Sequence, residues 1–546
     1  MKIPAREKLW IVFGLFILAS CNGTGEYADS GYEEQDGVAD AGLDAGADQA
    51  GDQGSDPGDE ANADQGSDLG ADPGGDFNQA CEQGIPSSVD IIDASEMLIV
   101  TNDVLRPAFE VLADWKRAKG VPTSVVTTAW IDANSSGRDA AERLRGYIHD
   151  MVFGSGVRYV LLGGDAEVVP VRRVHARALM SYDDIFVSDF YFSDLDGNWD
   201  ANGDDVFGEP ADDLDMHPDV ALGRVPASTP ADAETFVNRV LAYEQTDPGC
   251  ARDALFISED TGFLNFDAAV QLNPLADDVF PADFRKQKLY WKYEGYPGAE
   301  PNTKDAQIEA LEAGRAFVTH YGHASEQDLN LEMTAGDVSS LSNSPHFPIY
   351  ISCGCQAGNF AYASSDSAGE RLLTNPGGGA VAYLGNTNFG LGPGGGTALI
   401  ESFYRGIFEQ GLDLGSALDY AREHFYTNES SLQNELLGIR WTQLVVVLLG
   451  DPEMPVYTTD PGRLSLEAPA AIGRDEQCVA VTVLLAGQPI PGARVTLYRN
   501  GEFLYRQESD AQGRTVFRFT PQNRGQILLT ATLVNAVPAL GNIAVP

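Results

Sequence analysis

The chain has 546 residues, with 81 Asp and Glu against 35 Lys and Arg, a net charge of −46 at neutral pH. A chain of that sign repels phosphate backbones, so nucleic acid is excluded as a partner. Six cysteines over this length are too few for a disulfide-built scaffold, and a hydrophobic share of 43% is ample for packed cores.

In chain order, Lys2, Arg6 and Lys8 precede an apolar stretch from Leu9 to Ala19, too short to span a bilayer comfortably and shaped like a signal peptide (residues 1–20). Its end, Leu18-Ala19-Ser20-Cys21, resembles the lipobox of bacterial lipoproteins. That resemblance implies lipid on Cys21 and an extracytoplasmic chain anchored to the bacterial envelope, at the outer membrane or cell surface. An ordinary signal peptide with an incidental cysteine is the other reading. No later segment is apolar enough for a membrane helix. Residues 21–85 are rich in Asp, Gly and Ala, have no Lys or Arg between Asn22 and Ala80, and repeat Asp52-Gln53-Gly54-Ser55-Asp56 as Asp64-Gln65-Gly66-Ser67-Asp68. Such a segment buries too little to offset the entropy of ordering it, and reads as a disordered acidic tether.

Residues 86–250 alternate strand and helix signals. Met97 to Val100, Pro122 to Thr127, Tyr159 to Leu162 and Val220 to Leu222 read as strands, and Val104 to Ala118, Ala140 to Val152 and Pro230 to Tyr243 as helices. Residues 251–459 continue the pattern. Strands fall at Ala254 to Ser258, Ala316 to Val318, Phe347 to Ile351, Gly379 to Leu384 and Val445 to Gly450, and helices at Asp305 to Gly314, Gly396 to Gln410 and Leu414 to Tyr426. This order predicts an α/β region of two subdomains on a parallel sheet. From residue 460 to 546 short alternating runs such as Val479 to Val483 and Arg494 to Tyr498, separated by Pro491-Gly492 and Asn500-Gly501, predict a small all-β sandwich of immunoglobulin-like type.

Two of the strands end in polar, Gly-rich turns: Tyr321-Gly322-His323-Ala324-Ser325-Glu326 and Ser352-Cys353-Gly354-Cys355-Gln356-Ala357-Gly358-Asn359-Phe360. Open α/β sheets place reactive groups beyond the carboxyl ends of their strands. One turn offers an imidazole and the other a thiol, the two groups of a Cys–His hydrolase. His320 and Cys353 lie close by and compete for the same roles. Cys353 and Cys355 are badly placed to bridge each other, and any pairing among Cys81, Cys250 and Cys478 stays open.

Together with Tyr159-Val160-Leu161-Leu162-Gly163-Gly164-Asp165, Pro218-Asp219-Val220-Ala221-Leu222-Gly223-Arg224 and Leu449-Gly450-Asp451-Pro452, these turns resemble the gingipain-type cysteine peptidases, related in fold to caspases and legumain. The resemblance runs over most of residues 95–457. It implies a caspase-like catalytic region in which Cys355 is the nucleophile, His323 its base and Asp219 the residue that orients the imidazole. It also implies an oxyanion site at the N–H groups of Cys355 and Ala324, a protein or peptide substrate, and no cofactor in catalysis. Ala324 stands where the family has Gly. Asp232 is similar in position to an acidic residue of the family, and reads equally as a first-turn helix carboxylate. Endopeptidase action through a thioester is the leading expectation; an inactive adhesin or binding scaffold and a transpeptidase are the alternatives. A separate loop carries Asp194, Asp196, Asn198 and Asp200 at alternate positions, oxygen ligands suited to a structural calcium ion.

Overall fold

The near-continuous apolar runs become strands buried on both faces, as a sheet covered by helices on each side requires. The computed structural model describes residues 94–212, 214–262 and 267–546; the leader, Cys21, Cys81 and the acidic stretch lie outside the described residues. The strands of the α/β region are β1 (Met97–Thr101), β2 (Thr123–Thr127), β3 (Tyr159–Gly163), β4 (Arg173–Ala178), β5 (Tyr182–Val187), β6 (Ala221–Val225), β7 (Asp253–Ser258), β8 (Arg285–Tyr290), β9 (Ala299–Pro301), β10 (Phe317–Tyr321), β11 (Ile349–Ser352), β12 (Ala382–Asn386) and β13 (Val446–Leu449). Eleven of them form one sheet in the order β2-β1-β3-β6-β13-β12-β11-β10-β7-β8-β9, and β4 and β5 pair as a separate hairpin.

The sheet is parallel within each half and reverses once, at the antiparallel β12–β13 ladder. β13 comes late in the chain, yet its other neighbour is β6, to which it runs parallel. The strands β7, β10, β11 and β12 therefore share one direction and deliver their carboxyl ends to one edge of the sheet. The helices start and stop on local signals. Thr229 and Asp232 form a capping box ahead of Pro230–Gln245, and Gly156 ends Ala140–Ser155 with a left-handed φ of 79°. The hairpin, β8, β9 and the helix Thr128–Asn134 are elements that periodicity does not single out.

A buried charge cluster ties helix Arg106–Ala118 to the turn after β13. Lys116, wholly buried, places Nζ 2.8 Å from Glu244, 2.5 Å from Asp451 and 2.7 Å from Glu453, and Lys119 lies 2.6 Å from both Glu244 and Glu453. Burial pushes the Lys116 ammonium down, but Asp451, Glu244 and Glu453 outweigh it and hold its pKa well above the ordinary value.

Residues 460–546 form the expected β-sandwich, two sheets around Val479, Val481, Val495, Leu497, Phe517 and Ile527. It docks on the first half of the α/β region. Arg506 grips Glu96 at 2.8 and 3.1 Å and donates to the Gly120 carbonyl at 2.6 Å. The Arg506–Glu96 pair is partly exposed, and such pairs contribute only ~0–1 kcal/mol. Tyr498 and Leu504, buried in the main core, matter more, at roughly 1.5–3 kcal/mol for each side chain removed from water. Gly120, at φ +89°, permits this approach, because a Cβ there would fall 2.5 Å from Thr496 Oγ1. Among the cysteines whose pairing was open, Cys250 is a buried thiol and Cys478 is disulfide-bonded. No helix among the described residues is long and apolar enough to cross a membrane.

Candidate active site

β10 and β11 are parallel neighbours, paired from Phe317↔Ile349 to His320↔Ser352. Their following turns consequently leave the same edge side by side, one carrying His323 and the other Cys355. The turns are in contact: a Cβ on Gly354 would fall 2.5 Å from the Ala324 Cβ, so only glycine lets them close together. Cys355 is 5% exposed and sits just before Gln356, a non-glycine residue at φ +57°. Backbone of that kind persists where its surroundings over-determine it. Here Gln356 N–H donates to Asn388 O at 2.9 Å, Gly358 N–H to Asn386 O at 3.1 Å, and Asn386 Nδ2 to Gly354 O at 2.8 Å.

On the other side of β10 lies β7, and directly after it comes Glu259. Its buried carboxylate accepts the His323 backbone N–H at 2.8 Å through Oε2 and the Leu331 N–H at 2.8 Å through Oε1. Three adjacent strand ends thus carry a carboxylate, an imidazole and a thiol. Glu259 was missed in the sequence, although Ala254-Leu255-Phe256-Ile257 before it is the same apolar-run-then-polar-turn signal that marks His323 and Cys355.

Asp219 reaches the same edge of the sheet but lies several strands away from this position. It precedes β6, which β13, β12 and β11 separate from β10, and its carboxylate accepts the Leu195 N–H at 2.7 Å. The string around Asp219 resembles the family's, but strand order sends its side chain to a different cluster. Asp232 is the last residue of the capping box, accepting Thr229 N–H at 2.9 Å and its hydroxyl at 2.7 Å. Cys353 is buried against Gly396, and burial pushes its thiol up to about 12, which leaves it un-ionised at neutral pH. His320 is fully buried in β10 with Nδ1 2.9 Å from Ser352 Oγ. Ala324 is not among the residues with positive φ, so replacing the family's Gly costs no left-handed strain here.

The acidic loop divides. Asp194 and Asp196 converge with Asp219, their carboxylate oxygens within 4.8 Å of one another. Asn198 instead accepts the Asp200 N–H at 3.2 Å, while Asp200 pairs with Arg138 and accepts the Asp204 N–H at 2.9 Å. Asp194 is buried with no hydrogen-bond partner on either oxygen, and burial together with Asp215 pushes its carboxyl up to about 7. A second trio, Glu244, Asp451 and Glu453, already surrounds Lys116.

The family model for peptidase family C25 matches residues 93–457, about two thirds of the chain. The chain belongs to peptidase family C25. Among curated relatives, Lys-gingipain of Porphyromonas gingivalis is 21% identical over 472 residues, covering 82% of this chain and 25% of the relative. The chain therefore spans about a quarter of the length of the curated relatives it matches. Among solved structures, the Arg-specific cysteine proteinase gingipain R superposes with a TM-score of 0.65 at 18% identity, covering 85% of this chain and all of that one. The complex of the pro- and mature domains of Porphyromonas gingivalis RgpB gives 0.64 at 18%, covering 83% of this chain. These establish the C25 fold, a caspase-like α/β region followed by a β-sandwich.

Proposed function

We propose that this C25 chain is a cysteine endopeptidase in which Cys355 is the nucleophile and His323 its base. The observation that carries the reading is the placement of Glu259, His323 and Cys355 at the carboxyl ends of three neighbouring parallel strands, with their turns in contact. An unperturbed thiol has a pKa of about 8.5, so the imidazole must draw its proton for attack at neutral pH. The thiolate adds to the peptide carbonyl, and the oxyanion lies between the N–H groups of Cys355 and Ala324. Collapse breaks the C–N bond, His323 protonates the leaving amine, and water hydrolyses the thioester. Glu259 holds the His323 backbone, the task first expected of Asp219 on the side chain.

Lipid on Cys21 fixes the chain to the outside of the bacterial envelope. Asp194, Asp196 and Asp219 hold a structural calcium ion, for which a buried carboxylate with no other partner is suited. The ion takes no part in the thiol chemistry. Incubating the full chain with iodoacetamide and mapping the adducts tests the core claim, together with a peptide-library cleavage profile. Modification concentrated on Cys355 and defined cleavage products are expected. An unreactive Cys355 and no cleavage return the scaffold reading, and amine-capped products return the transpeptidase. For calcium, a melting temperature that is the same with the ion and with chelator counts against the site.

A further inference from the structure

His320 is an unusual occupant of its position. It is fully buried in a strand whose other residues are Phe317, Val318, Thr319 and Tyr321, and its Nε2 forms no well-aligned hydrogen bond. A buried polar atom left so costs ~1–3 kcal/mol, which an apolar side chain would avoid. What surrounds the ring gives it a use. Nδ1 lies 2.9 Å from Ser352 Oγ, which itself accepts the Gly354 N–H at 3.0 Å. Nε2 lies 3.2 Å from Glu259 Oε2, the oxygen that accepts the His323 N–H. With the ring proton on Nε2, the Ser352 hydroxyl donates to Nδ1 and keeps lone pairs for Gly354, so each group has a consistent role.

One end of this chain of contacts therefore fixes the backbone at His323 and the other fixes the backbone next to Cys355. Glycines flank it on both sides. A Cβ on Gly322 would fall 2.3 Å from Glu259 Oε2 and 2.7 Å from His320 Nε2, and one on Gly354 would fall 3.1 Å from Ser352 Oγ. The two turns are pressed onto the buried ring as closely as backbone allows.

We infer that His320 is a positioning residue: through Glu259 on one side and Ser352 on the other, it sets the spacing of the turn bearing His323 against the turn bearing Cys355. The inference rests on the peptidase reading, since it concerns the same pair, but its effect can be read without any substrate. Its ring acts through Ser352 and Glu259, so its loss acts on geometry. Misplacement by about an ångström costs on the order of a hundredfold in rate, while binding pockets elsewhere are unchanged.

The test uses the purified full chain and the variants His320→Phe, His320→Gln, Ser352→Ala and the double variant His320→Phe with Ser352→Ala. Three quantities are measured: the rate of Cys355 alkylation by iodoacetamide, kcat and KM on a cleaved library peptide, and the melting temperature. His320→Phe and Ser352→Ala should each slow alkylation and kcat by at least about tenfold with KM within about twofold, and His320→Gln should recover part of the loss. The double variant should be no slower than the worse single, because both cut one connection. Wild-type alkylation in His320→Phe, losses that multiply in the double variant, or a KM effect alone overturns the inference. So does a loss fully explained by the fraction unfolded at the assay temperature. Should His320→Phe fail to fold, Ser352→Ala and His320→Gln decide it. A wild-type chain that is alkylated yet cleaves nothing defeats the peptidase reading instead, and the alkylation rates still judge His320.

Discussion

Sulfur and oxygen differ little in size but greatly in acidity, which makes Cys355→Ser the sharpest single substitution. Peptide cleavage should vanish while the melting temperature stays near wild type; a variant cleaving at the wild-type rate removes Cys355 from the mechanism. His323→Ala should lose nearly as much, because the two act as one unit. Cys353→Ser should keep most activity and lose ~1–3 kcal/mol of stability, since a hydroxyl there is buried among apolar groups. Glu259→Gln turns one end of an acceptor for two backbone N–H groups into a donor. One of those N–H groups then faces another N–H, at ~1–3 kcal/mol, and kcat should fall together with the denaturation midpoint. His323 and Cys355 are legible because histidine and cysteine are scarce in this chain, 7 and 6 residues, and a polar turn after an apolar run narrows the choice to one close pair of each. Glu259 was hidden among 81 acidic residues, and only the strand order, which no local pattern contains, puts it beside β10.

At the scale of elements, a seven-residue helix, Ala368–Thr374, straps both turns down. Its first two N–H groups donate to Glu326 O at 2.7 Å, in the His323 turn, and to Ala357 O at 2.8 Å, in the Cys355 turn. Seven residues are too few for a helical period to emerge from sequence. Its capping carboxylate, Glu370, is buried; that burial, reinforced by Asp165, pushes its carboxyl from 4.5 up to about 8. The folded state therefore holds a proton that the unfolded chain has released, and this group's contribution to stability declines as pH rises from about 4.5 to about 8. Glu370→Gln should flatten that part of the stability profile and gain relative to wild type at the alkaline end. Melting curves of the two proteins at acidic and alkaline pH provide the check, and parallel profiles would contradict it. The longer strands and helices needed no such help, because their apolar runs are long and their caps are local, as with Thr229 and Asp232.

At the scale of the molecule, the charge cluster around Lys116 holds helix Arg106–Ala118, helix Pro230–Gln245 and the turn after β13 in one place. Lys116→Met leaves three buried carboxylates with only Lys119 as counter-ion, and should destabilise by ~3–5 kcal/mol in chemical denaturation. A change below about 1 kcal/mol would mean that the carboxylates simply take up protons. The cluster could not be foreseen, since Lys116 looks in sequence like any lysine late in a helix. The single reversal of the sheet was equally out of view, because strand pairing between residues so far apart leaves no mark on either segment.

That reversal sets an order of events. β6 leaves the ribosome long before β13, and until residues 446–449 appear its inner edge has no partner. An unpaired edge in a growing chain is a template for wrong pairing. Residues 94–250 made alone should therefore be aggregation-prone, whereas co-production with residues 251–546 should recover soluble, associated protein; a soluble, cooperatively melting 94–250 fragment would refute this. The two halves of the sheet thus pair edge to edge only when the last strand of the α/β region arrives, so chains truncated before that strand should be inert. On the proposed function, assembly also keeps the Cys355 thiol idle until residues 446–449 have been made.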